Sequence, residues 1–183
     1  MALDINKVFT ERMEAELDVR DYIAGYRDVE RFEQCCRQCP NYGRRHGCPP
    51  FDEDTTARIM QYHRVRILGV KVTPQGERLP LSAANDLIEP VVLEMNHQLL
   101  QLEQEMSGMA CGFVGKCPYC SEPCSRLDGK PCRHPDKMRP SLEALGFDVT
   151  KTASQLLGIE MQWGTDGMMP DYLVLICAVF YNA

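Results

Sequence analysis

Four cysteines within residues 34–53 and five within about 111–135, both groups broken up by proline and glycine, constrain this chain more than any other feature. In QCCRQCPNYGRRHGCPPFDE, Pro40, Gly43, Gly47, Pro49 and Pro50 forbid a long regular element. The run CPYCSEPCSRLDGKPCRHP at 117–135 is built the same way. Both segments are expected to be irregular loops that present ligands, and the fold must come from the remainder.

That remainder suffices for one domain. With 183 residues, 44% hydrophobic and 25% charged, a single compact domain over 1–183 is the expected outcome. No run approaches the roughly 20 apolar residues that cross a bilayer. The opening MALDINKVFTERMEAE lacks the basic flank and apolar run of a secretory signal. A cytoplasmic protein is expected, and in a reducing cytosol ten cysteines point to bound metal rather than to a disulfide framework.

The formal net charge of −6 argues against nucleic acid as a partner. Its distribution is uneven, because residues 31–50 carry four Arg against one Glu and residues 111–140 carry six Lys or Arg against three acids. The cysteine segments are basic islands in an acidic chain. Nearby cations lower thiol pKa values and offset the charge of a thiolate-bound centre.

Periodicity outlines an α+β fold. Residues 10–33 are expected to form one or two helices with Thr10 as a possible cap, followed after the first loop by a short helix at 54–63 and a strand at 64–72. Ser82 can cap the next element, where Ile88, Val92, Met95, Leu99, Leu102 and Met106 repeat at helical spacing, with Pro90 expected to kink the helix or split off its first turns. A strand at 109–114 precedes the second loop. After it come a helix from Pro140 to Gly146, another from Thr150 to Gly158, and a hairpin of strands at 159–163 and 171–181. The sheet is expected to be small and mainly antiparallel, with flanking helices.

The spacing Cys117-x2-Cys120-x3-Cys124-x7-Cys132 supplies four soft ligands, enough to surround one tetrahedral ion or one cubane cluster. Zinc sites usually pair two short knuckles, whereas three crowded cysteines with a distant fourth are closer to a ferredoxin-type run. Proline follows Cys48 and Cys117, as it follows a ligand cysteine in that run. With the basic surround, these features favour a 4Fe-4S cluster and leave zinc as the alternative. The order of spacings, two and then three, differs from that of radical S-adenosylmethionine enzymes.

The first loop offers Cys36-x2-Cys39-x8-Cys48, three usable thiols for a second site. Its fourth ligand could be Cys35, Cys111, His46 or a group from outside. Arg133, His134, Arg139 and Ser141 could donate hydrogen bonds to cluster sulfurs or cap the following helix, and so tune a potential. Cys177, inside YLVLICAVF, is expected to be a core residue.

Together RFEQCCRQCPNYGRRHGCPPFD, CPYCSEPCSRLDGKPCRHPDKMRPSLEALGFDV and PDYLVLICAVF resemble a family of cysteine-rich predicted metal-binding proteins, a domain of unknown function found mainly in anaerobic microbes. The resemblance covers nearly the whole chain and implies ligands at Cys36, Cys39, Cys48, Cys117, Cys120, Cys124 and Cys132. It brings no established reaction.

There is no glycine-rich phosphate loop, nucleophile elbow or HExxH helix, so a conventional hydrolase, kinase or dehydrogenase lacks support. The leading expectation is an iron–sulfur protein serving electron transfer or an accessory redox role in anaerobic metabolism, with a redox protein as partner. The alternatives are a zinc-stabilised adaptor and an enzyme that takes its substrate at an open cluster iron.

Overall fold

Alternation governs the first element. In VFTERMEAELD, Met13, Ala15 and Leu17 turn inward while Arg12, Glu14 and Glu16 stay exposed, the period-two pattern of a strand with one wet face. In the computed structural model, which describes residues 8–115, 117–120 and 123–183, this segment is strand β1 (Val8–Asp18), where helix was expected. Strand β2 (Arg64–Pro74) pairs with it antiparallel along its whole length, setting Glu11 opposite Lys71 and Glu16 opposite Arg66. The facing pairs close at 3.1 Å and 2.7 Å, so the acids and bases of the two segments match as cross-strand partners.

Two further strands, β3 (Met109–Cys111) and β4 (Leu173–Tyr181), complete an antiparallel sheet in the order β1-β2-β4-β3. β4 is interior, and its run from Leu175 to Phe180 is buried, as a strand covered on both faces requires. One face packs Val70, Val72, Leu175, Cys177 and Val179 against Val91, Met95 and Leu99 of helix α4 (Ala84–Glu105, numbered in chain order with those below). The other packs Val65, Ile67, Ala178 and Phe180 against Val19, Tyr22, Leu142 and Phe147. The expected partner strand at 159–163 does not form: Ile159 is buried in the core, β2 takes one edge of β4 along Leu173–Tyr181, and β3 takes the other at Ala178–Phe180. The predicted strand at 109–114 is cut to three residues because the chain then turns away along the cysteine cavity.

Helices α1 (Val19–Tyr26), α2 (Val29–Arg37), α3 (Thr55–Ile59) and α5 (Val149–Leu156) are each capped by an aspartate, at Asp18, Asp28, Asp54 and Asp148. A carboxylate cap satisfies amide donors and also complements the helix dipole, which is why Asp148 prevails over Thr150; the expected Thr10 instead lies within β1. Ser82 sits inside a 3-10 turn, Leu81–Ala83, and α4 follows it without a side-chain cap, running unbroken past Pro90. The buried stripe of α4 is Leu87, Val91, Met95 and Leu99, rotated slightly from the expected one. α2 extends through Cys35 and Cys36 into the expected loop, helped by the Glu33–Arg37 pair at 2.9 Å.

The helix expected from Pro140 is a single 3-10 turn, Glu143–Leu145, ended by Gly146 at φ +88°. A Cβ there would lie 2.9 Å from Val29 Cα, so only glycine lets this turn dock on the start of α2. Asp28 N–H donates to the Gly146 carbonyl at 2.8 Å and Asp148 N–H to that of Tyr26 at 2.8 Å, fixing the junction. Beneath it Tyr22 stacks on Phe147 with ring centroids 4.5 Å apart. Among the described residues, no helix is long and apolar enough to cross a membrane.

Candidate metal centre

The first cysteine set starts where α2 stops. Tight turns carry the chain on from Cys36, with Cys39 N–H donating to the Cys36 carbonyl at 2.9 Å and Tyr42 N–H to that of Cys39 at 3.1 Å. Cys48 closes a second turn on Arg45 at 3.1 Å, and Gly43 N–H reaches back to the Pro49 carbonyl at 2.8 Å. In the second segment Cys124 precedes the 3-10 turn Ser125–Asp128, and Ser125 Oγ donates to the Pro131 carbonyl at 2.7 Å, drawing in the chain that carries Cys132. Lys116, Ser121 and Glu122 of this loop lie outside the described residues.

Arginine side chains tie one segment to the other. Arg126 Nη1 donates to the carbonyls of Arg45 and Cys48 at 2.7 and 2.5 Å, while its Nη2 donates to that of Pro50 at 2.6 Å. Arg45 in return donates to the Gly115 carbonyl at 2.5 Å, and His46 Nε2 lies 3.3 Å from Ser125 Oγ. The result is one shared cavity. Cys36, Cys39, Cys48, Cys117, Cys120, Cys124 and Cys132 all line it, with Val92, Phe113 and Met138 among its apolar walls. Its volume of about 140 Å³ is roughly ten times the 10–15 Å³ that seats one water.

The other predicted residues are placed less uniformly. Arg139 and Ser141 line the cavity, yet Arg139 is held chiefly by Glu103 of α4, at 2.8 and 2.5 Å, in a largely buried ion pair. Ser141 Oγ accepts from Ala144 N–H at 3.3 Å and so caps the turn that follows. Arg133 Nη1 donates to the Pro123 carbonyl at 2.9 Å. His134 reaches the set through its backbone, its N–H pointing at Cys132 Sγ at 3.4 Å. Cys35 is exposed and Cys111 fully buried, and neither lines the cavity; Cys177 is enclosed in β4.

Sequence reasoning missed Arg126, Glu103 and Glu143. Arg126 was hidden among the basic residues of its loop, and only its three carbonyl partners distinguish it from a solvated charge. Glu143 lines the cavity, and its Oε2 is buried with no hydrogen-bond partner.

Burial raises the thiol pKa values of Cys36, Cys48 and Cys117 above the ordinary range, and repulsion from neighbouring cysteines adds to it. For Cys48 the charges of Arg45 and Arg126 pull the other way. Metal-free, these thiols therefore hold their protons, and binding a cation must displace them.

A family model described as predicted metal-binding protein (DUF2284) matches residues 25–176, a span that takes in both cysteine sets. The chain belongs to that family. No curated protein and no solved structure gives a significant match. For a DUF2284 chain the implied ligand is a metal, and the donor chemistry fits one: seven thiols on one cavity are soft ligands for zinc or for iron–sulfur clusters. Among the described residues, no three His, Cys, Asp or Glu side chains are gathered into a ready-made ion site. The fit therefore lies in the type and convergence of the donors.

Proposed function

We propose that this DUF2284 protein is a cytoplasmic iron–sulfur protein that relays electrons, or supports a redox step, in anaerobic metabolism. Cys117, Cys120, Cys124 and Cys132 hold one 4Fe-4S cluster, and Cys36, Cys39 and Cys48 bind a second. The observation that carries this reading is the convergence of both cysteine sets on a single part-buried cavity.

A four-iron cluster supplies one-electron chemistry when bound, at a potential set by charge, hydrogen bonds to sulfur and solvent exposure. The chain has a lever for each. Arg45 and Arg126 place positive charge beside Cys48, and His134 N–H points at Cys132 Sγ. Phe113 and Met138 line the cavity with apolar surface, and Arg133, Arg139 and Ser141 brace the second loop around it. At the rim Val114 is 68% exposed, an apolar contact for a redox protein partner.

The test is metal and acid-labile sulfide analysis, with an ultraviolet–visible spectrum, on protein purified without oxygen. Two four-iron clusters give about eight irons and eight sulfides per chain. Zinc without sulfide overturns the redox reading and leaves the thiolates as loop staples in an adaptor.

A further inference from the structure

The first cysteine set is one ligand short of the four that a tetrahedral ion or a cubane cluster takes from a closed protein site. Three residues suggested by sequence for the vacant place are poorly set for it. Cys35 is exposed and off the cavity, and Cys111 is buried in β3 with no surface on it. His46 lines the cavity but engages Ser125 Oγ through its Nε2.

Glu143 is differently situated. It lies on the 3-10 turn that packs against α2, the helix bearing Cys36, at the junction that Gly146 makes close. Part of the residue reaches solvent, and its carboxyl engages Ser141 and its own backbone, but one oxygen, Oε2, is buried without a hydrogen-bond partner. An unpartnered buried carboxyl oxygen costs free energy in the metal-free fold, and a bound ion is one of the partners that satisfies such a group in native structures.

We infer that Glu143 is the fourth protein ligand of the first site, its carboxylate completing Cys36, Cys39 and Cys48 in a three-thiolate, one-carboxylate set. This rests on the metal-binding reading above, though not on the metal being iron. A carboxylate oxygen is a harder and more readily exchanged donor than thiolate, which would make this site unlike the all-cysteine one beside it.

The experiment uses the full chain, as wild type and as Glu143→Gln, Glu143→Cys, His46→Ala and Cys120→Ser. Each is purified without oxygen and analysed for metal, sulfide and electron paramagnetic resonance. Glu143→Gln is expected to lose about half of the metal, the content of one of two four-ligand sites, and Cys120→Ser to lose the other share. Glu143→Cys is expected to restore the metal with an altered spectrum. Full metal and an unchanged spectrum in Glu143→Gln overturn the assignment, as does loss of the first site in His46→Ala with Glu143→Gln intact.

Cobalt(II) titration of the metal-free chain separates this proposal from the iron–sulfur reading. There Glu143→Gln is expected to weaken one of two sites at least about tenfold, the scale of losses at metal-site residues. Equal affinities in the variant and wild type overturn the proposal whatever metal the native protein carries. Circular dichroism of metal-free Glu143→Gln confirms folding, since the isosteric amide adds no charge.

Discussion

Arg126 Nη1 lies 2.5 Å from the carbonyl oxygen of Cys48, so a side chain of the second cysteine segment holds the backbone of the first at one of its thiol positions. The same guanidinium takes the carbonyls of Arg45 and Pro50. Lysine could not span three acceptors with one planar fork.

Arg126→Ala is therefore expected to loosen residues 43–50 while leaving the sheet intact. Loss of these charge-assisted bonds should cost about 2–4 kcal/mol of local stability, given about 1.5–3 kcal/mol for each and the partial exposure of the group. Amide hydrogen exchange at Gly43 and Cys48 should accelerate. Unchanged exchange at both would remove Arg126 from this role.

The Glu103–Arg139 pair is the second brace. Glu103 also accepts from Ala110 N–H at 2.7 Å, so one carboxylate joins α4, β3 and the end of the second loop. Glu103→Ala should destabilise the fold by about 2–4 kcal/mol, below the limit for a fully buried pair because both side chains retain some exposure. Urea denaturation reads this directly, and Glu103→Ala with Arg139→Met should recover part of the loss. No recovery would mean that the pair acts through separate contacts.

Gly146→Ala tests the junction of α2 with the turn bearing Glu143. A left-handed backbone costs a side chain about 1–2 kcal/mol, and the added Cβ also meets Val29 Cα at 2.9 Å. A lowered melting temperature is expected, together with metal loss confined to the first cysteine set. Uniform loss from both sets would show that the turn does not act locally.

Alkaline pH should unfold the metal-free protein through its buried thiols. Burial pushes the Cys111 thiol up from the usual 9.0 to about 12, and the Cys177 thiol is raised by the same cause. A raised folded-state pKa means that the stabilising share of Cys111 is complete below about pH 9 and is lost as pH climbs toward 12. The slope is roughly 1.4 kcal/mol per pH unit for one group. Thermal melts of Cys111→Ala should fall less steeply over this window than the wild type, and parallel slopes would count against the assignment.

Much of this architecture is legible in the chain. The continuous apolar run at 173–180 announced a buried strand, and the helical repeat from Ile88 to Leu102 announced α4, because each is a long pattern set by burial. β1 was obscured because Glu11, Glu14 and Glu16 with Leu17 also suit a helix, and what decides for strand is a partner more than forty residues away. Proline and glycine alone marked both cysteine segments as breaks in regular structure, although α2 runs on into the first as far as Arg37. Their meeting on one cavity was not legible, since it depends on Arg126 finding three carbonyls of the first segment. Glu143 was hidden in SLEAL for a related reason: an ordinary helix-forming glutamate gains a distinctive environment only from the docking that Gly146 permits.

The sheet order β1-β2-β4-β3 also fixes a sequence of events during synthesis. β3 reaches the sheet only through β4, which the ribosome makes after both cysteine segments. Until residues 173–181 emerge, the wall formed beside β3 has no scaffold, and the loop thiols are already made but unsheltered. The cysteine loops of a nascent chain are thus open to oxidant until β4 pairs, and the cavity they line takes its final shape only once residues 173–181 have been made.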